Sequence, residues 1–173
     1  MKIRKSIFVF VLALIGLSAA QAQGVSFGLK GGYLQGYGKV ETGGVGVTVD
    51  EGGFFVGALA EIELPALNLQ PELVYGNIDE GDFLLLPIML KKNFPAGFNL
   101  QAGPQFAISL EDLEGADDIS RASLDFAFGA GYDFPKKFFI DARYSLQITN
   151  TYTGDLDITA RTNFLTLGVG LRF

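Results

Sequence analysis

Residues 122–149 read ASLDFAFGAGYDFPKKFFIDARYSLQIT. Every second residue of the first half is apolar: Leu124, Phe126, Phe128, Ala130, Tyr132 and Phe134. Between them lie Asp125, Gly129, Gly131 and Asp133. After Pro135 and two lysines the alternation resumes with Phe138, Ile140, Ala142, Tyr144, Leu146 and Ile148, set against Asp141, Arg143, Ser145 and Gln147. Successive side chains of a strand point to opposite faces, so a period of two sustained this long predicts strands with one apolar and one polar face. A short link between them predicts an antiparallel hairpin.

The same alternation recurs along the chain and predicts eight strands, near 24–34, 53–64, 67–77, 83–92, 98–110, 122–134, 138–149 and 161–173. Each has about the ~9–11 residues of a tilted bilayer-crossing strand, or slightly more. One face is free of charge throughout. The other carries Lys30, Glu61, Glu63, Glu72, Lys91, Asp125, Asp133, Asp141, Arg143 and Arg172, together with amides such as Gln70, Asn99, Gln101 and Gln105. Gly28, Gly32, Gly57, Gly103, Gly129, Gly131, Gly168 and Gly170 share that polar face. On a solvated outer surface glycine would only weaken a strand. Inside a barrel of eight strands, whose lumen is just wide enough for side chains, it makes room for long charged ones. The polar face is therefore read as the lumen and the apolar face as the lipid side.

The links agree. Those holding Pro65, Pro95 and Pro135 are short, whereas those at 35–52, 78–82, 111–121 and 150–160 are mostly longer. Short periplasmic turns alternating with longer external loops mark transmembrane barrels. The predicted fold is all-β, an eight-stranded antiparallel up-and-down transmembrane β-barrel with both termini at the short-turn end. Phe94, Phe98, Phe134, Phe138, Phe139 and Phe173 gather at that end as one interfacial girdle, and Tyr33, Tyr75 and Tyr144 are candidates for the other. Two features strain the scheme. Pro71, Pro87 and Pro104 fall inside strands of a barrel that has no edge, and bulges are the expected relief. Strand 83–92 is apolar on both faces, so alternation alone does not orient it; with Lys91 inside, Phe83, Leu85 and Met89 form an apolar patch in the lumen.

Residues 1–22 have the layout of a cleaved secretory signal: Lys2, Arg4 and Lys5, an apolar run from Ile7 to Leu17, and Ala20-Gln-Ala22 before the cut. The run is shorter than the ~20 residues of a spanning helix. Residues 23–173 are then the barrel domain. Losing three bases takes the formal net charge from −6 to −9, which speaks against a nucleic-acid partner. The expected location is the outer membrane of a Gram-negative bacterium.

The chain has no Cys and no His. That removes thiolate nucleophiles, imidazole bases and the commonest metal ligands, and no catalytic, cofactor or metal site is assigned. Glu61, Glu63, Glu72, Asp125 and Asp141 could be read as paired carboxylates of the glycosidase kind. In a narrow lumen shared with Lys30, Lys91, Arg143 and Arg172, a structural charge network is the stronger reading, because buried charges need partners. Acids of the loops, from Glu41 to Asp157, read as a solvated, mutually repelling face ahead of a Ca²⁺ or Mg²⁺ site. Ser109-Leu-Glu-Asp112 matches capping-box spacing, which opens the option of a short helix in the third loop.

Taken in order, Phe27-Gly-Leu-Lys-Gly-Gly-Tyr33, Leu69-Gln-Pro-Glu-Leu-Val-Tyr75, Leu84-Leu-Leu-Pro-Ile-Met-Leu-Lys91, Gly103-Pro104, Gly129-Ala-Gly-Tyr132, Asp141-Ala-Arg-Tyr144 and Leu167-Gly-Val-Gly-Leu-Arg-Phe173 resemble the Bacteroidota outer-membrane β-barrel domain of the porin-family or PorT-like type. The resemblance implies that Pro71 and Pro87 are usual in such barrels. It also implies that the terminal Phe173 is the signal read by the barrel-assembly machinery. The expected protein is monomeric, embedded in outer-membrane lipid, without cofactor or enzymatic activity, and structural or surface-interacting in role. A small-solute channel is the alternative, followed by a soluble lipocalin-like binding barrel.

Overall fold

The computed structural model describes residues 24–42, 45–79, 81–111, 119–154 and 158–173. The signal segment, the acids Glu80, Asp112, Glu114, Asp117, Asp118, Asp155 and Asp157, and the option of a third-loop helix lie outside the described residues.

Among the described residues eight strands close into one barrel in chain order. They are β1 (Val25–Thr42), β2 (Val45–Glu63), β3 (Asn68–Ile78), β4 (Gly81–Asn93), β5 (Phe98–Ser109), β6 (Ala122–Asp133), β7 (Phe138–Gln147) and β8 (Ile158–Arg172). All neighbours are antiparallel, and β1 closes on β8 through pairs such as Gly32 with Gly168. The predicted polarity holds. Leu29, Leu73, Leu100 and Val169 are more than half exposed, whereas Lys91 and Asp125 are 1% and 0% exposed. This arrangement is the reverse of a soluble lipocalin-like barrel, whose apolar face would turn inward. Strand β4 follows the same rule: Leu85 and Met89 are buried and Ile88 and Leu90 face out.

Three details depart from the sequence reading. First, the prolines sit in unbulged strands. The β2–β3 register is the same on both sides of Pro71, where the ladder merely skips two pairs. The β3–β4 ladder does the same at Pro87, and β4–β5 at Pro104. Each proline stays paired on its other side, Pro71 with Ile88, Pro87 with Gln105 and Pro104 with Phe126. A strand residue gives its N–H to one neighbour only, so a proline interrupts one ladder and needs no extra residue. Second, Phe139 is 2% exposed and lies in the lumen. Phe138 and Phe139 are consecutive, and only one of them can face lipid. Phe94, Phe98, Phe134, Phe138 and Phe173 do face out. Third, most of the expected first loop, 35–52, is strand: β1 runs on to Thr42 and β2 begins at Val45.

Leu73 sits mid-strand on the outer face. Leu73→Arg is expected to lower stability by about 2–4 kcal/mol, read by urea unfolding in lipid vesicles. An unchanged midpoint would place this face away from lipid.

Candidate functional site

Alternation sends charged side chains of different strands into one narrow lumen, where they sort by strand parity. From β1, β3 and β7 come Lys30, Glu72, Asp141 and Arg143. Lys30 Nζ lies 2.9 Å from Glu72 and 3.3 Å from Asp141, and Arg143 Nη2 lies 2.7 Å and 3.0 Å from the same two carboxylates. From β2, β4, β6 and β8 come Glu61, Lys91, Asp133 and Arg172. Lys91 Nζ is 3.2 Å from Glu61 and 2.7 Å from Asp133, while Arg172 is 2.7 Å from Glu61 and 2.6 Å from Asp133. Each quartet holds two acids and two bases and is formally neutral. Amides fill the remaining valences: Gln70 donates to Glu72 at 2.6 Å, Asn68 to Glu61 at 2.5 Å and Asn99 to Asp133 at 3.1 Å. The Arg172 guanidinium also lies 4.3 Å from the centre of the Phe139 ring.

Two of the predicted network residues fall outside the quartets. Asp125 is buried and accepts hydrogen bonds from Ser123 at 3.0 Å and Gln105 at 3.1 Å, with no ion pair among the described residues. Glu63 is exposed at the short-turn rim beside Gly24. The glycines give the expected clearance. A Cβ at Gly168 would stand 2.8 Å from Asp141 Oδ1, and one at Gly129 would stand 2.7 Å from Arg143 Cγ.

The lumen toward the long-loop end is apolar. Leu34, Phe55, Val74, Ile78, Leu85, Ala107 and Phe164 pack together, with Phe83 edge-on to Phe164 at 5.4 Å between ring centres. Of this plug the alternation anticipated only Phe83 and Leu85, with Met89 deeper on β4. The missing signal lies in consecutive apolar pairs, Tyr33-Leu34, Phe54-Phe55 and Leu73-Val74, each of which puts one side chain on lipid and one in the lumen. Above the plug a mouth cavity of about 280 Å³ is bordered by Val49, Glu51, Ile78, Asp79, Phe83 and Thr162. Among the described residues no group of three or more carboxylates is placed to hold a metal ion.

Beyond the barrel β1 continues as the centre of a three-stranded sheet. Tyr37–Thr42 pairs with 45–50 of β2 and with 158–163 of β8. Six residues at ~3.3 Å each give this sheet about 20 Å of length along its strands. Its edges differ. The β8 edge is covered: Thr151 N donates to Ala160 O at 2.9 Å, and Asn150 Oδ1 accepts from Ala160 N at 2.8 Å. The β2 edge meets β3 only from Gly53 downward, and among the described residues 46–52 pair with nothing on that side. Val47 and Val49 are 63% and 53% exposed.

Residues 8–173 match the family model described as the outer membrane protein beta-barrel domain. Among solved structures, Ail, the attachment invasion locus protein of Yersinia pestis in complex with the heparin analogue sucrose octasulfate, matches at 18% identity. The match covers 86% of this chain and 99% of that one, with a TM-score of 0.50. Neisserial surface protein A matches at 18% identity over 87% and 99% of the two chains, TM-score 0.50. A de novo designed transmembrane β-barrel matches at 11% over 86% and 95%, TM-score 0.50. At these identities the likeness concerns the fold. No curated protein matches the sequence.

Proposed function

The chain belongs to the outer membrane protein β-barrel domain family and resides in the outer membrane, and from that premise we propose that it is a non-enzymatic barrel serving as a surface-interaction protein. The bare β2 edge carries this reading. Residues 45–49, VGVTV, contain no Pro and no charged side chain, the residues that commonly blunt an exposed strand edge; Asp50 and Glu51 follow only where the edge nears the barrel. An edge of this kind pairs with an extended segment of another polypeptide, backbone to backbone. The partner is external, because the sheet projects from the long-loop end. Ail's sulfated ligand is a poor guide to it: the formal charge of −9 left after signal removal opposes a polyanion. The test is a photo-crosslinking amino acid at Thr48 on intact cells. A discrete protein adduct at position 48, absent from the same probe at lipid-facing Leu73, is the expected result. No adduct at either position would overturn the reading.

The channel alternative requires a continuous lumen, and Leu34, Phe55, Leu85 and Met89, all 0–1% exposed, occupy the cross-section. No steady conductance is expected in planar bilayers, and a stable open level would favour transport. The quoted stretches support the finer placement among Bacteroidota-type, PorT-like barrels of a Gram-negative outer membrane. In this reading the barrel is a monomer in outer-membrane lipid, matured by cleavage after Ala22, so that the mature chain starts at Gln23. Phe173 is its assembly signal, presented where its N–H donates to Phe27 O at 2.9 Å and seals β8 to β1.

A further inference from the structure

The lipid-facing wall is lined mainly by large side chains, but on β6 and β7 it is notched. Ala130 and Ala142 are directly opposite each other and both exposed, between the large pairs Phe128–Tyr144 and Tyr132–Ile140. The notch opens into a groove of about 540 Å³, walled by Phe98 and Tyr132 on one side and Leu167 and Val169 on the other. The groove lies across β5 to β8 and reaches one residue pair nearer the short-turn end, to Phe98, Tyr132, Ile140 and Val169. There Tyr132 stacks edge-on against Phe134 at 4.8 Å, and the β6–β7 turn carries Lys136 and Lys137, both exposed. A second shallow hollow of about 420 Å³ lies between Phe134, Pro135, Lys136 and Phe138. Ala142 is five residues from Lys137, about 17 Å along the strand and about 13 Å in depth at the ~35–45° tilt of barrel strands, which keeps notch and lysines within one leaflet of a hydrocarbon core ~30 Å thick.

We infer that this wall holds one phospholipid of the periplasmic leaflet, its acyl chain in the Ala130–Ala142 groove and its phosphate between Lys136 and Lys137. Charge complementarity selects the occupant. The described long-loop end carries Glu41, Asp50, Glu51, Asp79 and Asp82 against Lys39, Arg121 and Arg161, whereas the described turn between β6 and β7 carries two lysines and no acid, with Glu63 of the rim on the side of Lys137 away from the groove. A basic pair at the headgroup level, beside aromatic side chains, attracts anionic lipid. An anionic phospholipid such as phosphatidylglycerol is therefore held in preference to zwitterionic phosphatidylethanolamine.

Native mass spectrometry of the folded, detergent-solubilised barrel tests this with three probes: phosphatidylglycerol, phosphatidylethanolamine and inorganic phosphate. One retained phosphatidylglycerol is expected, in excess over phosphatidylethanolamine and with no phosphate adduct. Replacing Lys136 and Lys137 by Gln should weaken retention about fivefold per lysine. Ala142→Leu should fill the notch and abolish retention of either lipid. Ala58→Leu, at another exposed small residue of the outer face on β2, should change nothing. Heat-modifiable gel mobility reports that each variant is folded. Equal retention by the Ala142 and Ala58 variants, equal uptake of both lipids by the wild type, or a phosphate adduct that persists without lipid would each overturn the assignment.

Discussion

Glu72→Ala is expected to lower the stability of the barrel by about 3–5 kcal/mol, read as a fall in the urea concentration at which the compact, heat-modifiable form is lost. The side chain is buried and bridges Lys30 and Arg143 at 2.9 Å and 2.7 Å. Without it both cations depend on Asp141, and one formal charge is stranded away from water. The size of the effect thus comes from desolvation as much as from lost attraction. That origin gives a second, discriminating measurement. Pairing Glu72→Gln with Lys30→Met restores neutrality and should recover most of the loss. If the double variant is no better than the single one, the quartet is not coupled as its geometry implies. Removal of Glu63, which is exposed at the rim, should cost less than about 0.5 kcal/mol.

Phe55→Ala is expected to cost about 3–5 kcal/mol by the same assay, for a different reason. Phe55 and Phe164 are the two largest buried side chains of the plug, and the Phe55 ring lies 5.4 Å from Lys30 Nζ. Truncation leaves a hole in the plug beside Lys30 and the backbone at Gly168, which a closed hydrogen-bonded wall cannot collapse to fill. Phe55→Leu keeps much of the volume and should cost under half as much. Equal costs for the two would mean that the site repacks freely. In planar bilayers Phe55→Ala alone should remain non-conducting, because the quartets still cross the lumen beneath it.

Strand number, polarity and most strand ends were legible because a membrane barrel writes nearly the same alternation eight times. Lys30, Glu61, Glu72, Asp141, Arg143 and Arg172 could be assigned to the lumen from alternation alone, since one slip in register would have put charge on lipid; on the strand apolar on both faces, the charge of Lys91 itself set the orientation. Their division into two neutral sets could not, because it depends on strand stagger, which links residues 111 positions apart such as Lys30 and Asp141. The projecting sheet was missed because glycines at 36, 38, 46, 52 and 53 read as loop. The Val45-Gly-Val-Thr-Val49 alternation was the available sign of a strand. Phe139 was misplaced because composition marks an aromatic cluster, while face is set by parity. Alternation also cannot show that the in-strand prolines fit without bulges, because it does not reveal to which neighbouring strand each residue gives its N–H.

The parity of the two quartets has a mechanical meaning. A hydrogen-bonded cylinder resists separation of neighbouring strands but resists poorly the sliding of one past the next. Struts that skip a neighbour stiffen it against that motion. Lys30, Glu72, Asp141 and Arg143 brace odd-numbered strands to one another, and Glu61, Lys91, Asp133 and Arg172 brace the even-numbered ones. A force applied at Phe173 would therefore load β2 and β6 through Arg172 before β8 could peel away, so the barrel should yield in coupled groups of strands and not one at a time.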